Sequence, residues 1–191
     1  YAFTGQWARA DEIGNIGYVG SVRLPRRQFH PGTLPVPGWT DRYEWKEYLG
    51  TEELPVIKNP PAGHLGTANN QVVDPEAVSY PLNLDGSTPF RYQRIKEVLD
   101  KGRQGREISE LMSELQMDDK FMGWEFLRPR FVTFLAPLVN DADPLVADAS
   151  AALLGWDGRN TDTSTGPTIF NVFQIQAFIA ALEDEVSPKT L

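Results

Sequence analysis

The 191-residue chain has no cysteine. That removes disulfides, thiol nucleophiles and Cys-ligated zinc, and it leaves the redox compartment undecided. Histidine is nearly as scarce. His30 and His64 stand alone, without the HxxxH or HExxH spacing that a metal site needs. Positive charge is also short, with 18 Lys and Arg against 26 Asp and Glu for a net charge of −8. Neutralising a phosphate backbone is therefore not this chain's task, and no nucleic-acid partner is expected. The acids are scattered rather than gathered in a tail, and read as solvated surface. No run of 18 apolar residues spans a membrane, and no charged segment followed by an apolar one marks export. The GxSxG elbow, the P-loop and GxGxxG are all missing, so the sequence gives no motif for an α/β-hydrolase, an NTPase or a dinucleotide enzyme.

What is present is ordinary for a globular protein: 41% hydrophobic and 23% charged residues, enough for one sizeable core or a core with a satellite bundle. The sequence opens inside a strand-like pattern with no polar lead-in, and reads as cut from something larger. It changes character at Thr88. Before it, alternating apolar and polar residues predict strands at Ile16–Val19, Ser21–Leu24 and Val56–Lys58, separated by Pro- and Gly-rich loops. After it the spacing is helical. Thr88 and Pro89 read as N-cap and first-turn proline, and Asp143-Pro144 opens a helix that stops at Gly155. Pro129 should kink or break a helix near the middle. Pro167 to Leu182 is apolar nearly all round, which predicts a deeply buried helix.

The most informative stretch runs from Asn59 to Asn70, NPPAGHLGTANN. His64–Ala68 reads as a strand carrying two carboxamides, Asn69 and Asn70, out of its end. A rigidly held Asn side chain can donate to a developing oxyanion, and equally it can satisfy its own backbone in a turn. Arg91, in the first turn of the next helix, opposes the helix dipole; it is either a solvated surface cation or one held by a carboxylate or an anionic ligand. Trp39, Tyr43, Trp45 and Tyr48 fit either core and lid packing or a binding surface. Asp157 to Asp162 lacks the spacing and the closing Glu of a calcium loop, and reads as a turn.

Several segments, in order, resemble the penicillin amidase (penicillin acylase) family of N-terminal nucleophile hydrolases. They are Ala10-Asp11 with Gly14–Val19, Leu34–Gly38, Tyr43–Lys46, Glu53–Pro55, Asn59 through Gly63 to Asn69-Asn70, Arg91–Ile95, Trp156–Gly158 and Ile169–Val172. The resemblance places the chain in the middle of the family's large catalytic (beta) chain. It implies an α+β fold, part of a four-layer αββα sandwich, with residues 1–87 contributing sheet and 88–191 a helical layer of the same domain. It implies hydrolysis of N-acyl amides through an acyl-enzyme on an N-terminal Ser that lies outside this sequence. Asn69 matches the oxyanion-hole asparagine, and Arg91 the arginine that orients it and the polar end of the substrate. Gly5 falls near a position lining the acyl pocket, where the lack of a side chain hints at a wide pocket. A structural calcium is implied through the backbone carbonyl near Gly32, but the family's aspartate ligand is replaced by Tyr80, leaving Asp74 or Asp85 as substitutes. The implied partners are the remaining alpha and beta segments of the same acylase and a small acyl amide, in the periplasm or outside the cell, with no membrane. The alternative is a non-catalytic binding or structural domain using the aromatic surface from Trp39 to Tyr48.

Overall fold

A computed structural model describes residues 5–21, 23–27, 34–72, 74, 88–183 and 185. Contacts divide the chain into two compact units, Tyr1–Gln104 and Gly105–Leu191.

The first unit is built on an antiparallel hairpin of β1 (Gly5–Ala10) and β2 (Ile16–Ser21), with Trp7 opposite Val19 and Ala10 opposite Ile16. Asp11 closes the turn: its Oδ1 accepts the backbone N–H groups of Ile13 at 3.2 Å and Asn15 at 2.8 Å. Gly14 takes φ +89°, a left-handed conformation that costs glycine nothing. The third strand, β3 (Val56–Lys58), pairs antiparallel with β2, setting Tyr18 opposite Ile57. Tyr18 is buried, while Trp7 on β1 stays 65% exposed.

Among the described residues between β2 and β3, the backbone makes a short 3-10 turn at Asp41–Tyr43, another at Thr51–Glu53, and an isolated bridge from Pro25 to Tyr48. The aromatics here do not enter a core. Trp39 is 88% exposed, because no described element lies over this loop. Arginines cover the others instead: Arg23 lies 4.2 Å from the Tyr48 ring centre, Arg27 5.3 Å from that of Trp45, and Arg42 5.7 Å from that of Tyr43.

Two strand expectations fail. The second strand stops at Ser21, with Arg23 and Leu24 outside it, and His64–Ala68 pairs with no strand among the described residues. The latter segment lies against a helix, where Gly66 makes a close approach that a sheet position does not require. That helix, α1 (Phe90–Asp100), begins one residue later than expected, with Pro89 rather than Thr88 at its N-cap. It goes with the first compact unit.

The second unit contains α2 (Ile108–Gln116), α3 (Met122–Leu135), α4 (Pro144–Gly155) and α5 (Gly166–Leu182). Its core is aromatic. Trp124, Leu153, Trp156 and Phe170 are buried together, with Phe121, Leu127, Phe131 and Ile169 against them. The indole N–H of Trp124 donates to the Trp156 carbonyl at 2.9 Å, so the largest buried side chain leaves no unpaired donor. Asp143 caps α4 by accepting the Leu145 N–H at 2.9 Å. The α3 helix runs through Pro129 without ending. Asp157 accepts the Arg159 N–H at 3.0 Å in a tight turn with Gly158 at φ +86°, as turn chemistry requires.

The expectation for α5 is overturned. Only its first turn is buried, at Gly166, Pro167 and Phe170, while Phe173, Ile175 and Phe178 (63%) are exposed. An all-round apolar pattern records what a helix needs to bury, and the described residues cover one end of one face.

Candidate functional site

The loop from Asn59 to Asn70 is anchored at its start by side-chain amides. Asn59 takes φ +45°; its Oδ1 accepts the Ile16 N–H at 2.9 Å, and its Nδ2 donates to Asn15 Oδ1 at 2.8 Å. Asn15 in turn donates from Nδ2 to Asp11 Oδ2 at 2.8 Å. A carboxylate can only accept, so Asp11 fixes which way the Asn15 amide faces, and Asn15 does the same for Asn59. The Asn15 side-chain bond, then the Asn15 backbone N–H, hold the Asp11 carboxyl below its ordinary pKa.

At the far end the two adjacent carboxamides have different roles. Asn70 is buried and works on its own backbone, accepting the Ala68 N–H at 2.9 Å and donating to the Gln71 carbonyl at 3.0 Å. Asn69 is exposed, sits at φ +59°, and its Oδ1 accepts from the Arg91 guanidinium at 2.7 Å. Few residues other than Gly, Asn and Asp tolerate that backbone angle. Arg91 also donates to the Ala68 carbonyl at 3.2 Å. These two oxygens account for a cation in the first turn of α1, where the helix dipole disfavours it.

A guanidinium has donors and no acceptor. By occupying Oδ1 it fixes the amide flip and turns the Nδ2 hydrogens away from itself. The result is an exposed, oriented pair of N–H donors on a backbone held at both ends of the loop.

The structure thus brings Asn69 and Arg91 together. Gly5 opens β1 opposite Ser21, at the open end of the hairpin whose turn holds Asn59. Gly32, Tyr80 and Asp85, on which the calcium expectation turns, lie outside the described residues. Asp74 is described, and among the described residues no group of three or more His, Asp or Glu is placed to hold a metal ion. Among those residues, too, no helix is long and apolar enough to cross a membrane. Sequence reasoning missed the Ala68 carbonyl, which no side-chain pattern reveals. It also missed the Asp11–Asn15–Asn59 relay, whose one visible signal was an Asn at each turn.

The penicillin amidase family profile matches residues 2–190, so the chain belongs to the penicillin amidase family. It is 40% identical over 164 residues to the penicillin acylase 2 proenzyme of a Pseudomonas species, covering 86% of this chain and 20% of that protein. It is 28% identical over 187 residues to the acyl-homoserine lactone acylase QuiP of Pseudomonas fluorescens, covering 93% of this chain and 22% of the relative. The chain therefore spans about a fifth of the length of these curated relatives. Among solved structures, a thermostable penicillin G acylase from Alcaligenes faecalis matches with a TM-score of 0.67 at 22% identity, over 96% of this chain and 34% of that one. The fold is that of this acylase and is α+β, with a three-stranded sheet and five α-helices among the described residues.

Proposed function

We propose that this chain is the oxyanion-binding segment of an N-acyl amide hydrolase. The nucleophile is an N-terminal Ser carried by another segment of the same protein, whose free α-amine takes the proton from its own hydroxyl. Attack on the amide carbonyl places negative charge on oxygen, and the Asn69 Nδ2–H donates to it. Collapse of that intermediate breaks the C–N bond, releases the amine and leaves an acyl-enzyme. Water then attacks the ester through a second oxyanion at the same donor. Arg91 keeps the carboxamide from flipping, and its charge beside Oδ1 polarises the N–H bonds toward the substrate. Gly5 is assigned to the lining of an acyl pocket that admits a bulky or long acyl group, and the compartment proposed is the periplasm or the exterior.

The observation that carries this reading is the 2.7 Å bond from Arg91 to Asn69 Oδ1. A turn-forming Asn, like Asn70, spends its carboxamide on its own backbone; Asn69 spends its oxygen on a cation and keeps its NH2 free. The test is Asn69→Gly, which tolerates the left-handed backbone and removes only the carboxamide, made in the full-length protein. Turnover of phenylacetyl or long-chain acyl amides is expected to fall about 10²–10³-fold, with KM little changed, as for loss of one oxyanion donor. Near-normal kcat in a folded N69G enzyme removes Asn69 from the mechanism.

A further inference from the structure

We infer that residues 64–69 form a splint laid antiparallel along α1, in which Gly66 sets the gap that lets Arg91 reach Asn69. The inference rests on the reading of Asn69 above and assigns positioning roles to residues that do not touch the substrate.

Three contacts run in opposite order along the two segments. His64 Nε2 lies 3.3 Å from Asp100 Oδ1. Gly66 lies against Ile95, so closely that an added Cβ would sit 2.9 Å from the Ile95 Cγ2 methyl. Asn69 Oδ1 meets Arg91 at 2.7 Å. As the loop climbs through 64, 66 and 69, the helix descends through 100, 95 and 91. Nine helical steps cover about 13.5 Å, within the roughly 16–18 Å that five chain steps can reach at most. Six residues can therefore run from the last residue of α1 to its first turn, and the splint engages the helix over that length.

The middle contact is the one with no slack. Gly66 is not among the residues with positive φ, so its backbone accepts any side chain. What excludes a side chain is the methyl on Ile95. That methyl is fixed close to the helix backbone, because a β-branched side chain in a helix has one strongly preferred rotamer. A methyl at position 66 must therefore lift the loop rather than displace the neighbour. The Asn69–Arg91 bond lies three residues further on, and hydrogen bonds weaken steeply once lengthened or bent. Lifting the loop releases the carboxamide from the guanidinium, and its NH2 loses its fixed direction.

The experiment compares Gly66→Ala, Gly66→Ala with Ile95→Leu, Ile95→Leu alone and Asn69→Gly in the full-length protein. Leucine keeps the side-chain volume and removes the methyl from Cβ. The probes are chromogenic anilides carrying phenylacetyl and long-chain acyl groups, with kcat and KM measured separately. G66A is expected to lower kcat by about tenfold to a hundredfold, as for misplacement of a catalytic group by a fraction of an ångström to one ångström. KM should stay near wild type, and the double variant should regain most of the loss while I95L alone stays near wild type. Wild-type kcat in G66A beside a crippled N69G overturns the splint and leaves the oxyanion reading intact. Wild-type kcat in N69G overturns the reading beneath it. If G66A does not fold, the double variant decides: folded and active supports the spacing, folded and slow overturns it.

Discussion

The two compact units solve different problems. The helical unit gathers Trp124, Trp156, Phe170 and Phe131 into a buried aromatic cluster with ring centres 5.0–5.7 Å apart. The sheet unit, among its described residues, buries few large side chains and leaves Trp7 and Val56 exposed on its strands. Yet the sheet unit holds the candidate site. Its loop is fixed by amides and carboxylates at one end, by a close glycine–isoleucine approach in the middle and by a guanidinium at the other end. Aromatic packing supplies stability without much direction, since such contacts tolerate small shifts. A relay of hydrogen bonds supplies direction with little net stability, about 0.5–1.5 kcal/mol per bond. Substitutions should therefore separate the two quantities.

The largest effect on stability is expected from Trp124→Ala, which empties the centre of the helical core and removes the bond to the Trp156 carbonyl. It should destabilise the full-length protein by about 3–5 kcal/mol, read by calorimetry, while kcat per folded molecule stays unchanged. A drop in that kcat would break the division of labour. Phe178→Ala comes next and sharpens the comparison from the other side. This residue is 63% exposed in the chain as it stands. If the rest of the protein covers α5, the change should cost about 3 kcal/mol; a loss under about 0.5 kcal/mol, typical of surface sites, would show the face is bare.

Asn59→Gly keeps the left-handed backbone and the Asn59 N–H bond to the Ile16 carbonyl, and deletes the two side-chain bonds that tie the loop to the hairpin. A stability loss of only about 1–3 kcal/mol is expected, with kcat falling several-fold. Thermal melts and steady-state kinetics on one sample decide it. The smallest effect concerns Asp11. Its folded pKa is depressed, first by the Asn15 side chain and then by the Asn15 backbone N–H. Its contribution is therefore fully present above the ordinary aspartate value, and is lost as pH falls through the depressed one. Asp11→Asn should be less stable than wild type at neutral pH, and the gap should close as pH drops below about 3.9. A gap that widens in acid would contradict the relay.

How far the sequence alone reached follows the same division. The hairpin strand Ile16–Val19, the short Val56–Lys58 strand and the helix from Asp143-Pro144 to Gly155 were readable, because periodicity and caps are local signals. The pairing of Asn69 with Arg91 came from family resemblance, since a separation of 22 positions hides it from any local rule. Three features were hidden. His64–Ala68 has a strand's composition but lies along a helix, and only the Ile95 methyl explains why Gly66 is there. Asn69 and Asn70 are identical in sequence terms, and the structure buries one against its own backbone and leaves the other exposed beside Arg91. The α5 pattern stated a need for cover on every side, whereas cover depends on what else is present.

The central claim is that Arg91 acts through the Asn69 carboxamide, and a double-mutant cycle on kcat in the full-length protein tests it most directly. Arg91→Met alone should slow turnover by about tenfold or more, a fraction of the loss from removing the donor itself. In the Asn69→Gly background the same change should cost less than about twofold, because nothing is left to orient. Losses that multiply in the double variant would mean that the two residues work independently, and would contradict the account.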